Sequence, residues 1–456
     1  MDFKKIKSIY FIGISGAGMS GLARVAAIHG KKISGSDMQE YGTVKKLRED
    51  GIEVLIPQVA ENVPLDYDLY VYSAAVGENN PERKVLADKG LADKSMTYFT
   101  AVGEFMKVYK NRIAISGTHG KTTTTSMLGL VLQQAGLDPT AIVGSRVKAW
   151  KSNVRVGKDV DYFIIEACEY KAHMLELHPT AIILTNIEED HLDYYRDLDH
   201  INMTFQKYIN MLPSDGVLIR NADDSECREI GFDGTTVSYG IEEDADVMAV
   251  DIEKKEREQT FVVDGDKYSI IVPGDFNIYN ALSVIAYAKH IGISVSDIQK
   301  GLKKFTGTWR RFEICGDYRE SVVISDYAHH PTAVTGLLKA AKEWFPGRRI
   351  LLVFQPHQHN RTKKLFDKFV SAFDDSDLTI IQEIFDVAGR EEDEDQAVTS
   401  QDLVEEVEKR GKLVLYSADN EKTKLLLAEH VEKDDVIIIA GAGDIYMVAE
   451  EICSKE

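Results

Sequence analysis

A glycine-rich segment followed by a lysine and threonines carries the strongest chemical signal in the chain. It reads Gly117-Thr118-His119-Gly120-Lys121-Thr122-Thr123 and stands between an apolar run and a helical pattern. N–H groups at a helix N-terminus bind phosphate oxygens, a lysine neutralises their charge, and a neighbouring hydroxyl binds Mg²⁺. The spacing departs from the full phosphate-loop motif, because Ile115 stands where that motif has an earlier glycine. The segment predicts a site for the phosphates of a nucleotide.

Two acidic motifs follow predicted strands and could complete such a site. Glu166 ends the apolar run from Tyr162, with Glu169 as a nearby competitor, and Mg²⁺ on Thr122 needs a carboxylate as a second ligand. The second motif, 185–193, places an amide, several acids and an imidazole directly after another apolar run. By itself it reads either as a loop facing a metal or nucleotide, or as a surface loop.

A first glycine cluster, 13–18, lies near the N-terminus. Ser15 holds the position of the middle glycine in G-x-G-x-x-G, so the motif is incomplete. Asp37 stands after the next strand, where dinucleotide-binding folds place a ribose-binding acid. From these residues alone the cluster is a dinucleotide site, another phosphate-binding turn or a packing turn, and an oxidoreductase remains an alternative.

The last third of the chain adds histidines and arginines to predicted strand ends. Asp326-Tyr327-Ala328-His329-His330-Pro331 follows one strand, and Gln355-Pro356-His357 with Arg361 follows another. No cysteine at ligand spacing accompanies the paired histidines, so a zinc site is disfavoured. Cationic anchoring of a carboxylate fits these residues better. Gly441–Asp444 is either a packing turn or a small-ligand loop.

The elements that must position these residues alternate between strands and helices. Apolar runs at strand length precede each motif, and helical periodicity follows, which predicts parallel, doubly wound α/β sheets. Predicted strands are 7–14, 32–34, 69–73, 112–116, 162–165, 181–184, 322–324, 350–354, 378–381, 413–416 and 436–440. The stretch 216–272 is expected to be antiparallel, and 273–280 is expected to be a polar loop before a helix.

Composition limits the classes of function. At about 150 residues per domain, the 456 residues suggest three domains. The net charge of −20 argues against a general nucleic-acid binder, because phosphate neutralisation needs a surplus of Lys and Arg. The four cysteines are widely spaced and no apolar run reaches the roughly 20 residues of a membrane span, so a cytoplasmic protein without membrane contact is expected. The acidic run 391–395 is expected to be a solvated loop.

Taken together, the motifs resemble the Mur ligase family along essentially the whole chain. The matching segments are SGTHGKTTT, EACE, TNIEEDHLD, PGDFNIYN, RRFE, DYAHHPT, FQPH and GAGD. The resemblance implies three domains, at 1–107 for a UDP-sugar, 108–310 for ATP and 311–456 for an amino acid. The first and third would be Rossmann-like and the second a phosphate-loop type. The motifs are most similar to the branch that joins L-alanine to UDP-N-acetylmuramate in cell-wall precursor synthesis. The resemblance implies that the protein uses ATP and Mg²⁺ and is a monomer or a weak homodimer.

The resemblance also implies roles for individual residues. The UDP-sugar would bind Ser15, Gly16, Ala17, Gly18, Met19 and Ser20 near the diphosphate, and Asp37 and Ser73 near the nucleoside. ATP would bind Gly117, Thr118, His119, Gly120, Lys121, Thr122, Thr123, Asn186, His191, Asn277 and Asn280. Mg²⁺ would bind Thr122, Glu166 and His191. The amino acid would bind Tyr327, His329, His357 and Arg361, and the catalytic residues would be Lys121, Arg310 and His329.

Some positions depart from the family pattern and keep alternatives open. Phe276 stands where the family usually has His, and Gln358 stands where Arg is common beside the amino-acid carboxylate. Gln206 stands near the position of a carbamylated lysine in related ligases, so no carbamate is expected. A sister ligase that adds another amino acid or a recycled tripeptide, or that acts on another wall polymer, is therefore an alternative. A non-catalytic nucleotide-binding regulator is more distant. His329 could be a base or only an anchor.

Overall fold

A computed structural model describes residues 3–386 and 398–453 of the chain. The chain forms two compact units. The first contains the residues up to Ile187, Asn202–Asp246 and Ser283–Lys304. The second contains Glu188–Ile201, Val247–Leu282 and the residues from Phe305 onward. The acidic run 391–395, expected to be a solvated loop, lies outside the described residues.

The first unit begins with a parallel sheet in the order β3-β2-β1-β4-β5. Its strands are β1 Ser8–Ile12, β2 Lys32–Ser36, β3 Glu53–Leu55, β4 Leu69–Tyr72 and β5 Ser95–Thr97. Its helices are α1 Ala17–Ile28, α2 Gly42–Glu49, α3 Pro81–Asp88 and α4 Tyr98–Met106. The strand order reverses between β1 and β4, and ligands bind doubly wound sheets at the carboxyl ends of the strands beside such a reversal. The first glycine cluster follows β1 at that position.

A second sheet of the first unit has the order β12-β11-β10-β6-β9-β7-β8, parallel except for β8. Its strands are β6 Asn111–Ser116, β7 Thr140–Val147, β8 Ser152–Arg155, β9 Tyr162–Glu166, β10 Ala181–Leu184, β11 Val217–Asn221 and β12 Thr235–Gly240. The helices along this stretch are α5 Lys121–Gln134, α6 Leu198–Ile209 and α7 Ser225–Glu229. The expectation of antiparallel pairing from residue 216 is wrong for β11 and β12, because both extend the parallel sheet beside β10.

Within the stretch expected to be antiparallel, such pairing begins only in the second unit. After the short β13 Val247–Met248, the strands β14 Val250–Lys255, β15 Glu258–Val263 and β16 Asp266–Ile270 form an antiparallel sheet. The helices α8 Asp275–His290 and α9 Val295–Lys303 follow along the chain. The predicted polar loop at 273–280 is therefore wrong beyond Gly274. Asn277 and Asn280 lie in the first turns of α8.

The remaining sheet of the second unit has the order β17-β18-β22-β19-β20-β21. Its strands are β17 Glu313–Tyr318, β18 Ser321–Asp326, β19 Ile350–Phe354, β20 Leu378–Gln382, β21 Val414–Ser417 and β22 Val436–Ala440. Its helices are α10 Pro331–Trp344, α11 His359–Lys364, α12 Phe366–Ala372, α13 Ser400–Lys409, α14 Asn420–His430 and α15 Tyr446–Cys453. Only the edge strand β17 runs antiparallel. The prediction of an α/β protein with parallel sheets is confirmed.

Helices over the described residues are too short or too polar to cross a bilayer.

Candidate functional site

The segment 117–120 forms a tight turn between β6 and α5. Gly117 has φ +129° and Gly120 has φ +83°, a backbone region that favours glycine. A Cβ atom on Gly117 would lie 2.1 Å from Thr185 Oγ1, so the turn also needs the missing side chain. The turn delivers the chain into α5 at Lys121. The first N–H groups of that helix have no acceptor within the helix, which suits an anionic ligand.

Thr185 and Asn186, which follow β10, hold this turn in place by hydrogen bonds. The His119 N–H donates to Asn186 Oδ1 at 2.8 Å, and the Thr118 N–H donates to the Asn186 carbonyl at 2.9 Å. Thr185 Oγ1 donates to the His119 carbonyl at 2.6 Å. Asn186, predicted to line an adenine site, thus holds the backbone of the turn. The same bonds occupy the N–H groups of Thr118 and His119.

The ammonium group of Lys121 is held by the turn and by a carboxylate. It donates to the Thr118 carbonyl at 3.1 Å and lies 2.8 Å from Glu169 Oε2. Both side chains are largely buried. Burial lowers the pKa of Lys121, but the charge of Glu169 outweighs it and raises the pKa above its ordinary value. Glu169, the competitor considered for a metal, is therefore the partner of the lysine.

Glu166 and Thr122 fit a magnesium ion. Thr122 Oγ1 donates to Glu166 Oε2 at 3.0 Å, so a hydroxyl and a carboxylate oxygen are already adjacent. The Gly144 N–H donates to Glu166 Oε1 at 2.6 Å, which fixes the carboxylate. A Cβ atom on Gly144 would lie 2.8 Å from Glu166 Oε2. Hard oxygen donors of this kind are what Mg²⁺ prefers.

The first glycine cluster and Asp37 meet at the carboxyl edge of the N-terminal sheet. The Ser15 N–H donates to Asp37 Oδ2 at 2.8 Å and the Met38 N–H donates to Asp37 Oδ1 at 2.8 Å. Asp37 is buried. A Cβ atom on Gly13 would lie 3.2 Å from the Cβ of Ser73, so β1 and β4 bring these predicted residues together. Both carboxylate oxygens of Asp37 anchor backbone in the structure.

The other predicted residues of this edge open α1. Gly16 is the residue before the helix, and Ala17 to Ser20 form its first turn. A Cβ atom on Gly18 would lie 2.4 to 2.8 Å from ring atoms of Tyr98 at the start of α4. Sequence reasoning missed Tyr98, because the contact joins helices that are far apart in the chain.

Sequence reasoning also missed a buried carboxylate that packs against the N-terminal sheet. Glu82 is fully buried in α3 and accepts a hydrogen bond from Ser36 Oγ at 2.5 Å. Asn62 Nδ2 donates to its other oxygen at 3.2 Å. Burial raises the pKa of Glu82 above its ordinary value. Asn80 caps α3 and Pro81 begins it, a helix-start signal that the sequence does show.

The second unit brings together the four residues predicted to bind an amino acid. The rings of Tyr327 and His329 are 5.1 Å apart, and those of His329 and His357 are 5.7 Å apart. Arg361 Nη1 lies 3.1 Å from His357 Nδ1. His329 Nδ1 lies 2.9 Å from the Tyr327 carbonyl, so Nδ1 carries the proton and Nε2 is the free acceptor. Burial first, and then the charge of Arg361, hold the pKa of His329 well below its ordinary value.

Arg361 has a carboxylate partner within the second unit. Its Nη2 and Nε donate to Asp190 Oδ1 at 2.7 and 3.2 Å, and both side chains are 7% exposed. The His191 N–H donates to the same oxygen at 2.6 Å. Burial opposes ionisation of Asp190, but the charges of Arg361, His191 and His329 hold its pKa well below the ordinary value. Sequence reasoning missed this ion pair.

Arg310 lies among aromatic rings at the start of the last sheet. Its guanidinium is 4.6 Å from the ring centre of Tyr446 and 5.0 Å from that of Tyr327, and it donates to the Gly441 carbonyl. It is 4% exposed, and its Nε has no hydrogen-bond partner. Asp326 accepts the N–H groups of Phe312 and Ala328 and fixes the backbone on either side. Sequence reasoning left Asp326 without a role.

His191, Asn277 and Asn280 belong to the second unit. His191 has φ +52°, and its Nε2 lies 3.9 Å from Asp190 Oδ2. Asn280 Nδ2 donates to Asn277 Oδ1 at 3.1 Å, and Asn277 Nδ2 donates to the Pro273 carbonyl at 2.7 Å. The two amides therefore fix each other at the start of α8. Their predicted contact with a nucleotide stays a prediction.

Three family models match the chain in succession. They are the Mur ligase family catalytic domain at 8–110, the Mur ligase middle domain at 115–288 and the Mur ligase glutamate ligase domain at 310–443. The chain belongs to the Mur ligase family. Its relatives include UDP-N-acetylmuramate–L-alanine ligases of Caldanaerobacter subterraneus, 39% identical over 100% of this chain and 99% of the relative, and of Clostridium kluyveri, 42% identical over 98% of each.

Solved structures agree with the membership of the Mur ligase family. The UDP-N-acetylmuramate–alanine ligase of Thermotoga maritima matches with a TM-score of 0.81 and 26% identity over 98% of both chains. This Mur ligase therefore has the three-domain architecture of the family. Two of its departures from the family pattern differ in exposure. Phe276 is exposed, whereas Gln358 is buried with φ +69°.

Proposed function

We propose that this Mur ligase joins L-alanine to the carboxylate of UDP-N-acetylmuramate, with cleavage of ATP to ADP and phosphate. The observation that carries the proposal is the turn at 117–120, where Lys121 and the neighbouring Thr122 each face a carboxylate. The full-length similarity to ligases named for these two substrates supports it. We place the reaction in the cytoplasm, where ATP is available.

The first step activates the sugar carboxylate. A carboxylate is a poor electrophile, so one of its oxygens attacks the γ-phosphorus of ATP and ADP leaves, which gives an acyl phosphate. Phosphoryl transfer needs positioned positive charge more than covalent help. Lys121 supplies that charge at the start of α5, and Arg310 contributes a donor with no partner of its own. Thr122 and Glu166 would hold Mg²⁺, which would neutralise charge on the phosphates, and His191 would lie close to a second ion.

The second step forms the amide. The amine of alanine attacks the acyl carbon, a tetrahedral intermediate forms and phosphate leaves. The amine must lose a proton, and His329 is the residue that we assign to accept it. Its low pKa keeps the imidazole neutral at pH 7, and its Nε2 is the free acceptor. Tyr327, His357 and Arg361 bind the amino acid beside it.

The N-terminal sheet holds the UDP-sugar. The opening turn of α1 supplies N–H groups for the diphosphate, as helix N-termini do. Asp37 and Ser73 flank the nucleoside. Asp37 acts in part through the Ser15 N–H that it accepts, so it shapes the turn on which the diphosphate lies.

The test is the mass of the product after incubation with ATP, Mg²⁺, UDP-N-acetylmuramate and a mixture of amino acids with one tripeptide. We expect UDP-N-acetylmuramoyl-alanine, with phosphate released in equal amount. A product carrying another amino acid or the tripeptide would assign the chain to a sister ligase. Intact ATP in the presence of every amine would overturn the proposal. UDP-N-acetylmuramate-independent ATP turnover would favour a nucleotide-binding regulator.

A further inference from the structure

A cleft of about 530 Å³ opens in the second unit, and its lining goes beyond the residues assigned above. It is lined by Arg310, Tyr327, His357, Phe385, Ala442, Gly443, Asp444 and Tyr446. Two of these, Tyr327 and His357, are assigned to the amino acid under the proposed function, on which this inference rests. The loop 441–444 after β22 forms one wall. The sequence left that loop open as a packing turn or a ligand loop.

Asp444 is the carboxylate of this wall, and a chain of buried amides orients it. Gln355 Nε2 donates to Asp444 Oδ1 at 2.9 Å and to Gln382 Oε1 at 2.7 Å. Gln355 Oε1 accepts the Ile445 N–H at 3.3 Å, so the amide has one orientation only. Gln382 Nε2 in turn donates to Asn420 Oδ1 at 2.9 Å. Side chains locked in this way are typical of a built binding site.

The loop is glycine-rich because it packs directly on this amide chain. A Cβ atom on Gly443 would lie 2.3 Å from Gln355 Oε1 and 2.6 Å from the ring of Phe385. Gly441 has φ +152°, and a Cβ there would lie 3.0 Å from the Gln355 carbonyl. The close approach sets the loop against Gln355 and Phe385, which follow β19 and β20. Asp444 nevertheless remains exposed, so its carboxylate is fixed by one bond and open to a ligand.

The cleft offers a matched pair of groups to a ligand. Arg310 is buried, lines the cleft and has an Nε with no acceptor, so it suits a phosphate oxygen. Asp444 carries the one carboxylate among the described residues that line the cleft, so it suits a cation. The cation in the proposed reaction is the ammonium group of the amino acid. His357 is less suited to receive it, because its Nδ1 faces the guanidinium of Arg361.

We propose that Asp444 binds the ammonium group of the amino-acid substrate, and that Gln355 positions Asp444. The carboxylate of that substrate lies towards His357 and Arg361, and its amine is held beside the phosphate oxygens that Arg310 contacts. Asp444 thereby selects α-amino acids over acids that lack the amine. A hydrogen bond between charged groups is about twice as strong as a neutral one, which makes this selection measurable.

The test compares Asp444→Asn with the wild-type chain in a phosphate-release assay. We expect the KM for L-alanine to rise roughly 10- to 100-fold, the range for loss of a hydrogen bond to a charged group. The KM values for ATP and UDP-N-acetylmuramate stay within about twofold, because neither substrate contacts Asp444. Gln355→Leu changes the KM for alanine in the same direction by a smaller factor. Asp375→Asn, at an exposed pair with Lys342, is the matched control and leaves all three KM values unchanged.

Inhibition by propionate, which is alanine without its amine, separates recognition of the ammonium group from a structural effect. We expect the inhibition constant of propionate to be the same in wild type and Asp444→Asn, while the KM for alanine rises. An unchanged KM for alanine, or an equal weakening of propionate and alanine, would overturn the inference. If the wild-type chain makes the alanyl product and Asp444→Asn behaves like it, this inference fails and the proposed function stands. If the wild-type chain makes no such product, the proposed function itself fails.

Discussion

At the scale of single residues, the partners of the charged groups decide their chemistry. Lys121 carries its positive charge into a buried position because Glu169 lies beside it. A buried ammonium without a partner loses its proton more easily, since burial disfavours the charged form. Glu169 therefore keeps a cation ready at the start of α5. The sequence shows the lysine and both acids, but not which acid pairs with it.

Replacing Lys121 with alanine tests this cation. We expect Lys121→Ala to lower the rate of ATP cleavage by more than about 100-fold, the scale for loss of one positioned stabilising group. Phosphate release measures it, and Lys84→Ala, at an exposed position of α3, serves as the control for a lost lysine. A normal rate in a folded Lys121→Ala protein would contradict the role given to the lysine.

The pH dependence of stability tests His329. Its pKa in the folded chain lies well below that of the unfolded chain, about 6.5, so the unfolded state binds more protons at lower pH. Stability from the neutral imidazole is present above about pH 6.5 and is lost as the pH falls below it, at up to about 1.4 kcal/mol per pH unit. We expect His329→Gln to lose this contribution. Unfolding midpoints at pH 7.5 and 5.5 should therefore differ less in the variant.

Rates give a second measurement on the same residue. If His329 accepts the proton of the amine, His329→Asn alters the dependence of the rate on pH. A profile of unchanged shape would leave His329 as an anchor for the amino acid. Unfolding midpoints thus report on the burial of His329, and pH–rate profiles report on its role in proton transfer.

At the scale of elements, α5 is flanked by two glycines that differ in the space available for a side chain. Gly117 precedes its first turn and Gly136 follows its last, and both have positive φ. A Cβ on Gly117 meets Thr185 and Asn186, whereas a Cβ on Gly136 meets nothing within 4 Å. The comparison separates backbone strain from the close approach of two motifs.

We expect Gly117→Ala to raise the KM for ATP strongly and to lower the unfolding midpoint, because the turn must move away from the strand-end motif. Gly136→Ala keeps the positive φ but lacks the contact, so it should lower the midpoint only by the cost of strain, about 1 kcal/mol. ATP kinetics and thermal unfolding of both variants provide the measurement. Equal effects on KM would contradict the assigned packing.

The sequence predicted elements well where a pattern is local. The strands at 181–184, 350–354 and 436–440 match the structure, because a buried parallel strand is a continuous apolar run. Pairing partners were harder to predict, since β11 and β12 join the parallel sheet through contacts distant in sequence. The start of α8 was misplaced because its first residues are polar. The pairs Asp190 with Arg361 and Glu82 with Ser36 could not be predicted either, because their members are far apart in the sequence.

At the scale of the whole molecule, the second unit is assembled from three separate stretches of chain. The pair formed by Asp190 and Arg361 joins residues that are 171 positions apart. Its charges are buried, so each is costly without the other. The segment 188–201 thereby becomes part of the unit built on the last sheet.

A double substitution tests this link. We expect Asp190→Asn to destabilise the second unit by about 3–5 kcal/mol, because it leaves a buried guanidinium without its counter-charge. Asp190→Asn combined with Arg361→Met should recover most of that loss, since no unpaired charge remains. Unfolding midpoints of the two variants measure it. A double variant no more stable than the single one would show that the ion pair carries little of the stability.

The order in which a ribosome releases these stretches follows from the same feature. Asp190 leaves the exit tunnel well before Arg361 exists, and at roughly 5–20 residues per second the gap of 171 residues lasts on the order of 10–30 s. Throughout that interval Asp190 lacks the guanidinium that it pairs with in the folded unit, and Glu188 and Glu189 beside it add further negative charge. Because burial of this carboxylate without its partner is costly, the segment 188–201 docks on the last sheet only after Arg361 has been made.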